Sequence, residues 1–253
     1  MAKNVLKADR HLFILRELDK KGTVKVVDLS EDLQVAEMTI RRDLKELEDH
    51  GHLIRFHGGA KSKGKSFFQE DNYKEKIAVK IEEKKEIARK AAALINDNET
   101  IFIGPGSTTS HLYEYIKDKH LNIVTNSITV FDQFKEEKNC DLIFIGGRYR
   151  AKTQGFVGHF TQQSLANISV NKAFIGVNGI EPENLTISDE EEGKCNEIIF
   201  NNATEKYVVA DSSKFYTHAF YAFYKLYNVT GIITDSKIDS AIKEKYKKIL
   251  KIL

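Results

Sequence analysis

The sequence predicts an α/β protein in two parts: a small N-terminal helical unit closed by a hairpin, then a larger unit with a mostly parallel sheet. Three observations predict this. From Ala8 to Ala60, apolar residues recur at helical spacing in short segments and then alternate into a Gly-rich turn. A polar, lysine-rich stretch, KSKGKS at 61–66, follows. After it, six runs rich in Val, Ile and Phe alternate with helical segments, as buried parallel strands and their crossover helices do. The expected boundaries are 1–62 for the first domain, 63–75 for a linker and 76–253 for the second domain.

In the first unit, Arg10 to Lys20 reads as a helix, with Leu12, Leu15 and Leu18 near helical spacing and Gly22 ending it. Val26 to Leu33 reads as a second short helix, and Gln34-Val35-Ala36 as a tight turn. A third helix runs from Glu37 to His50, with Ile40, Leu44 and Leu47 forming one buried stripe and Gly51 as its C-cap. LIRFHGGAK then alternates like a strand leading to a Gly58-Gly59 turn. Past the linker, one connecting helix is predicted from about Tyr73 to Ile95. The strand-like runs are TIFIG (100–104), NIVTN (122–126), DLIFIGG (141–147), KAFIGVNG (172–179), KYVVAD (206–211) and GIITD (231–235). The basic tail, Lys243 to Lys251, reads as an amphipathic helix packing through Ile242, Tyr246, Ile249 and Leu250.

Composition narrows the function classes. The 253 residues are 41% hydrophobic and 30% charged, ordinary for a soluble globular protein. No apolar run nears the 18 or so residues of a membrane helix, and the opening MAKNVLKADRHL lacks a signal peptide's apolar core. The expectation is a cytoplasmic protein without a membrane partner. Cys140 and Cys195 are too few and too far apart for a disulfide framework or a zinc site, and read as buried thiols. His111 and His159 have no spaced partner, so no metal is expected; His11, His50 and His52 read as surface residues. Up to Ser66 there are 14 Lys and Arg against 11 Asp and Glu; the remainder holds 25 against 26. The basic excess therefore sits at the helical end.

There the pattern of short helix, tight turn and second helix is a helix-turn-helix, whose second helix enters a major groove about 12 Å wide. With Ile40, Leu44 and Leu47 inward, Met38, Thr39, Arg41, Arg42 and Lys45 turn outward. The arginine fork suits base edges and phosphates; Thr39 and Lys45 suit phosphate contacts that position without reading sequence. In the hairpin, Arg55, His57 and Lys61 are placed to ride on phosphates, with Gly58 and Gly59 shaping the wing tip. Alone, Arg41-Arg42 would read as a solvated face pairing with Asp43 and Glu46. The turn, stripe, glycine stop and basic wing together outweigh that reading.

In the second unit, Gly104, Gly106, Ser107, Thr108 and Thr109 lie between a strand and a helix predicted to start near Thr108. Free amides and hydroxyls at such a turn cradle an anion and suit phosphate. Four other strand ends carry similar equipment: Thr125-Asn126-Ser127, Gly146-Gly147-Arg148, Asn178-Gly179 and Asp211-Ser212-Ser213-Lys214. Ligands bind beyond the carboxyl ends of parallel strands, so five tips are expected to converge on one pocket. Arg148 and Lys214 would supply cationic contacts, and Asp211 and Asn178 would hydrogen-bond hydroxyls. Asp189 to Glu192 reads as a charged helix N-terminus.

TIRRDL followed by LEDHGHLIRFHGGA resembles the N-terminal signature of the DeoR family of bacterial repressors, and the resemblance continues through nearly the whole chain. The second half resembles the DeoR-type sensor domain and, through it, the ribose-5-phosphate isomerase fold. The resemblance implies a winged helix-turn-helix repressor of a sugar operon, released from double-stranded operator DNA by a phosphorylated sugar. Galactose 6-phosphate, tagatose 6-phosphate and fructose 1-phosphate are the inducers it points to. Homodimers or homotetramers are expected, because paired half-sites supply the specificity that one winged helix lacks. Three departures stand out. Ala36 occupies a turn position where the family usually has Ser. Asn184-Leu185-Thr186 stands for Gly-Leu-Thr, and a basic pair near Cys195-Asn196 is absent. The competing reading is a sugar-phosphate isomerase with an appended DNA-binding domain. The isomerase fold usually has Asp-Gly-Ala-Asp where this chain has Asn178-Gly179-Ile180-Glu181, which leaves Glu181 as the remaining base. No catalytic residue and no cofactor is expected of the regulator.

Overall fold

A computed structural model describes residues 7–49, 52–62 and 72–253. The chain separates into two units, Met1–Gln69 and Glu70–Leu253, each with its own core.

In the first unit, α1 (Lys7–Lys21) stops at Gly22, whose φ of +71° few side chains tolerate. The chain then forms β1 (Thr23–Lys25), α2 (Val26–Leu33), α3 (Glu37–Asp49), β2 (Leu53–Phe56) and β3 (Gly59–Ser62). The three strands pair antiparallel in the order β1-β3-β2. Ile14, Leu18, Leu29, Ile40, Leu44, Leu47 and Leu53 fill the core beneath them. Periodicity missed β1, a three-residue strand wedged between helices. His50 and the expected Gly51 cap lie outside the described residues. The wing turn falls one residue earlier than the sequence predicts. Phe56 pairs with Gly59, so His57 and Gly58 make the turn, with φ +90° at Gly58. Gly59 belongs to β3 instead: a Cβ there would stand 2.2 Å from the Val24 carbonyl oxygen, so only glycine lets β3 approach β1 so closely.

The tight turn is held by Gln34, left-handed at φ +52°, and by the Ser30 hydroxyl donating to the Val35 carbonyl at 2.6 Å. The Ala36 carbonyl accepts the Thr39 and Ile40 amides at 2.8 and 3.3 Å, so Ala36 is the N-cap of α3 and offers no side-chain acceptor. Ala36→Ser is therefore expected to stabilise this unit by about 0.5–2 kcal/mol, read as a higher melting point. An unchanged melting point would show that the cap contributes nothing here.

The second unit begins with α4 (Tyr73–Ile77) and α5 (Ile81–Ala92). The single predicted helix is thus two, broken at Lys80, whose φ of +54° is left-handed. The first residues of α4 fall within the expected linker: Tyr73 is buried and the Asn72 amide donates to Glu75 at 3.0 Å. There follow β4 (Thr100–Ile103), α6 (Tyr113–Ile116), β5 (Leu121–Thr125), α7 (Ile128–Phe134), β6 (Cys140–Phe144), β7 (Arg148–Arg150) and β8 (Gly155–Val157). Next come α8 (His159–Ala166), β9 (Val170–Gly176), β10 (Gly179–Ile180), β11 (Asn184–Ile187), α9 (Glu190–Asn201) and β12 (Ala203–Val209). The chain closes with β13 (Tyr221–Lys225), β14 (Gly231–Ile233), α10 (Ser240–Lys247) and β15 (Lys251–Ile252).

Seven strands form a parallel sheet in the order β15-β14-β12-β9-β4-β5-β6, and all six predicted strands are among them. The seventh, β15, corrects the reading of the tail. Its helix ends at Lys247, Tyr246 is buried as expected, but Ile249 is exposed and the last residues join the sheet beside β14. The β7–β8 hairpin and the β10-β11-β13 strands form two smaller, separate sheets.

From β4 the chain moves outward to β5 and β6; from β9 it moves the other way, to β12, β14 and β15. Because β4 and β9 are neighbours, their outgoing connections diverge and open a crevice at the strands' carboxyl ends. Right-handed crossovers in opposite directions place their helices on opposite faces. Accordingly α5 packs with α6 and α7 on the face bearing Ile101, Ile103, Phe174 and Val209, while Ile199 and Phe200 of α9 lie outside that cluster.

Candidate DNA interface and effector cavity

On α3, Ile40, Leu44 and Leu47 are buried, Met38, Arg41, Arg42 and Lys45 are exposed, and Thr39 is half-buried. The acids read as partners for the arginine pair are engaged elsewhere. Asp43 is 1% exposed and takes Arg10 of α1 through Nε at 2.7 Å and Nη2 at 3.0 Å. Glu46 pairs with Lys7 at 2.5 Å. Arg41 reaches only Glu37, at 3.1 Å between half-exposed side chains. Among the described residues, neither Arg42 nor Lys45 has an ion pair, so both charges face solvent. Burial would raise the Asp43 carboxyl, but hydrogen bonds from His11 and Arg10, with their charges, outweigh it and hold it below the usual carboxylate range.

His11 is a correction: it is buried, with Nε2 3.4 Å from Asp43 and 3.8 Å from Glu46. These three are the one grouping of metal-ligand types close enough to share an ion among the described residues, but Arg10 and Lys7 already pair with its carboxylates. On the wing, Arg55 and His57 are exposed; the Arg55 amide donates to Glu48 at 2.8 Å, which ties β2 to α3. Gly58 is at the tip, whereas Gly59 is buried in β3.

In the second unit a cavity of about 140 Å³ lies in the crevice between β4 and β9. Three strand tips line it: Pro105 to Thr108 after β4, Gly176 to Asn178 at the end of β9, and Ala210, Asp211, Ser213 and Lys214 after β12. Of the expected residues, Gly106, Ser107, Thr108, Asn178, Asp211 and Lys214 meet there. The loop after β4 enters a short 3-10 turn (Thr109–Leu112) rather than a long helix. Anion binding would therefore depend on amides, the Ser107 and Thr108 hydroxyls and side-chain cations, with little help from a helix dipole.

The other expected residues are occupied structurally and do not line the cavity. The Gly104 amide donates to the Phe174 carbonyl at 3.0 Å, and a Cβ there would meet Phe102 and Ile175. The Thr109 hydroxyl donates to Gly106 at 2.9 Å. After β5, the Thr125 hydroxyl donates to the Ile103 carbonyl at 2.6 Å, the Asn126 amide group to Phe156 at 2.7 Å, and Ser127 caps α7. Gly147 sits where a Cβ would be 2.0 Å from the Thr161 hydroxyl, so its absent side chain serves packing. Arg148 is exposed and pairs with Glu191 on α9. Five tips were expected to converge; three do, because β5 and β6 lie beyond the point where the connections diverge. Glu181 is also outside the cavity, bound to His218 at 2.6 Å.

Sequence reasoning missed the rest of the lining: Lys76 of α4, Lys80 at the corner, Lys84 of α5, and Thr153 and Glu192. Lys84 is 3% exposed, and its ammonium donates to the Lys76 carbonyl. Burial brings its pKa down to about 8, against the pull of Asp211. The available signal was its place on an apolar stripe with Ile87, Ala88 and Ala91. Lys80 donates to Asp211 at 2.7 Å, and the Ser213 amide reaches the same oxygen at 3.1 Å. Burial alone would raise the Asp211 carboxyl; the charges of Lys214 and Lys80 and these hydrogen bonds bring it down to about 2. Asp211 is thus ionised and orders the lysines around it.

Comparison with known proteins agrees with this division. The model of the DeoR-like helix-turn-helix domain matches residues 10–65, and that of the DeoR C terminal sensor domain matches residues 79–236. A lactose phosphotransferase system repressor of Streptococcus mutans is 37% identical over 248 residues, 96% of this chain and 99% of that one. Its namesake in Staphylococcus epidermidis is 36% identical over 98% of this chain and 99% of that one. Among solved structures, ribose 5-phosphate isomerase from Methanocaldococcus jannaschii aligns over 52% of this chain and 53% of that one, with 20% identity and a TM-score of 0.38. Helix-turn-helix, parallel-sheet crevice and full-length relatives agree: the chain belongs to the DeoR family and is a DNA-binding transcriptional repressor.

Proposed function

We propose that α3 and the wing hold operator DNA and that a phosphorylated sugar, entering the cavity of the second unit, lowers that hold. The observation that carries this is the cavity's chemistry. Four lysines (76, 80, 84 and 214) surround a loop rich in hydroxyls and amides, next to Asn178 and Asp211. Cations and amides suit a phosphate dianion; the amide and carboxylate suit sugar hydroxyls. Coupling requires that the sugar bind the low-affinity form more tightly than the DNA-bound form. The relatives' name, lactose phosphotransferase system repressor, favours galactose or tagatose 6-phosphate over fructose 1-phosphate as the effector. The protein works in the cytoplasm as a homodimer or homotetramer, so that two recognition helices meet two half-sites. Among the described residues no helix is long and apolar enough to cross a membrane.

A thermal-shift screen against sugar phosphates tests the effector half, since a ligand that binds only the folded state raises the melting point. No shift with any hexose or pentose phosphate would remove it. On the DNA half, Arg42→Ala is expected to weaken binding to an operator selected from random duplexes by roughly 1–3 kcal/mol, with an unchanged melting point. Arg41→Ala should act in the same direction, less strongly because Glu37 already holds the guanidinium. A lowered melting point in either variant would assign the residue to the fold instead.

A further inference from the structure

We propose that Glu192 reads the hydroxylated end of the effector, accepting hydrogen bonds from sugar hydroxyls and turning the phosphate toward the lysine wall. This rests on the cavity being the phosphosugar site. The crevice joins opposite faces of the sheet, so its walls have separate origins. Lys76, Lys80 and Lys84 come from α4, α5 and the corner between them; Glu192 comes from α9. The cavity is therefore polarised. Its other carboxylate, Asp211, is already matched by Lys80 and Ser213 on the cationic side.

Glu192 is only 3% exposed, yet it lines the cavity. The helix does not need it: Asp189 accepts the Glu192 amide at 3.0 Å as N-cap, and Glu190 and Glu191 already place negative charge in the first turn. Its carboxylate instead faces Thr153, whose hydroxyl is 3.3 Å away, and Arg150 at 3.4 Å. Arg150 is shared with Asp189, 3.3 Å from its Nε. A carboxylate has about four acceptor sites, so hydroxyl donors can join these partners. Hydrogen bonds to an ionised acceptor are about twice as strong as neutral ones, and like charge repels a phosphate from the same spot. Orientation and sugar preference both follow from one buried side chain.

The test is calorimetric titration of wild-type protein and E192Q with D-tagatose 6-phosphate and, separately, with inorganic phosphate. For E192Q, affinity for the sugar phosphate is expected to fall roughly tenfold or more, while inorganic phosphate binds as well or better. Equal losses for both probes, or no loss for either, would overturn the assignment. Should E192Q lack a cooperative melting transition, E192D keeps the charge on a shorter stem and is expected to split the two probes in the same sense. Wild-type protein that binds the sugar phosphate, with E192Q binding it equally well, would overturn the role of Glu192 alone. Wild-type protein that binds inorganic phosphate but no sugar phosphate would overturn the phosphosugar reading of the cavity as well. Failure to bind either would do the same.

Discussion

Asp43→Ala is expected to destabilise the first unit by about 3–5 kcal/mol, the cost of leaving a buried charge without its partner. Arg10 would lose its two hydrogen bonds to Asp43, at 2.7 and 3.0 Å, which help join α1 to the recognition helix. DNA binding should disappear together with the unit's melting transition, unlike in Arg42→Ala, which leaves melting intact. The same pair sets an acid limit. The folded-state pKa of Asp43 is depressed, so its stabilisation is complete above the ordinary carboxylate pKa and is lost as pH falls through the lower folded value. Melting points of wild type and Asp43→Asn across that range check the sign: the difference should shrink toward low pH. A variant with unchanged melting would show that the Arg10–Asp43 pair contributes nothing to stability.

Lys214→Ala should leave operator affinity without effector unchanged while raising the sugar phosphate concentration needed for release by roughly 10- to 100-fold. That follows from losing one hydrogen bond to a charged group, about 1.5–3 kcal/mol. Lys214 closes the short 3-10 turn after β12, with its amide on the Asp211 carbonyl at 2.9 Å, and its side chain lines the cavity. Its charge is also the first of those that lower Asp211, so the variant should loosen the lysine–carboxylate cluster as well. Ser107→Ala removes one neutral hydroxyl and should shift the same curve less. Release curves that overlay the wild type would separate this wall of the cavity from effector response.

Strands and the recognition helix were legible because they are locally encoded. An apolar run such as AFIGV, or the stripe Ile40, Leu44, Leu47, has one way to be buried. The cavity was half legible. Loop residues after β4, β9 and β12 announce themselves by Gly, Ser, Asn and Asp at strand ends. Strand order does not, so Thr125 to Ser127 and Arg148 could not be told from residues at the crevice. Lys80, Lys84 and Glu192 were hidden for a different reason. Lys84 and Glu192 sit on helices and Lys80 at the corner before one, positions where a charged residue reads as solvated unless, as for Lys84, it falls on the apolar stripe. The break at Lys80 gave no warning either, since a left-handed lysine has no sequence mark and here its ammonium is bound to Asp211.

The most direct measurement is an operator-binding titration of the full-length protein with and without saturating sugar phosphate, run in parallel on Lys214→Ala. The expected result is weaker operator binding by wild type when tagatose or galactose 6-phosphate is present, and a blunted change in the variant. Operator affinity that stays the same with every sugar phosphate bound to the protein would contradict it.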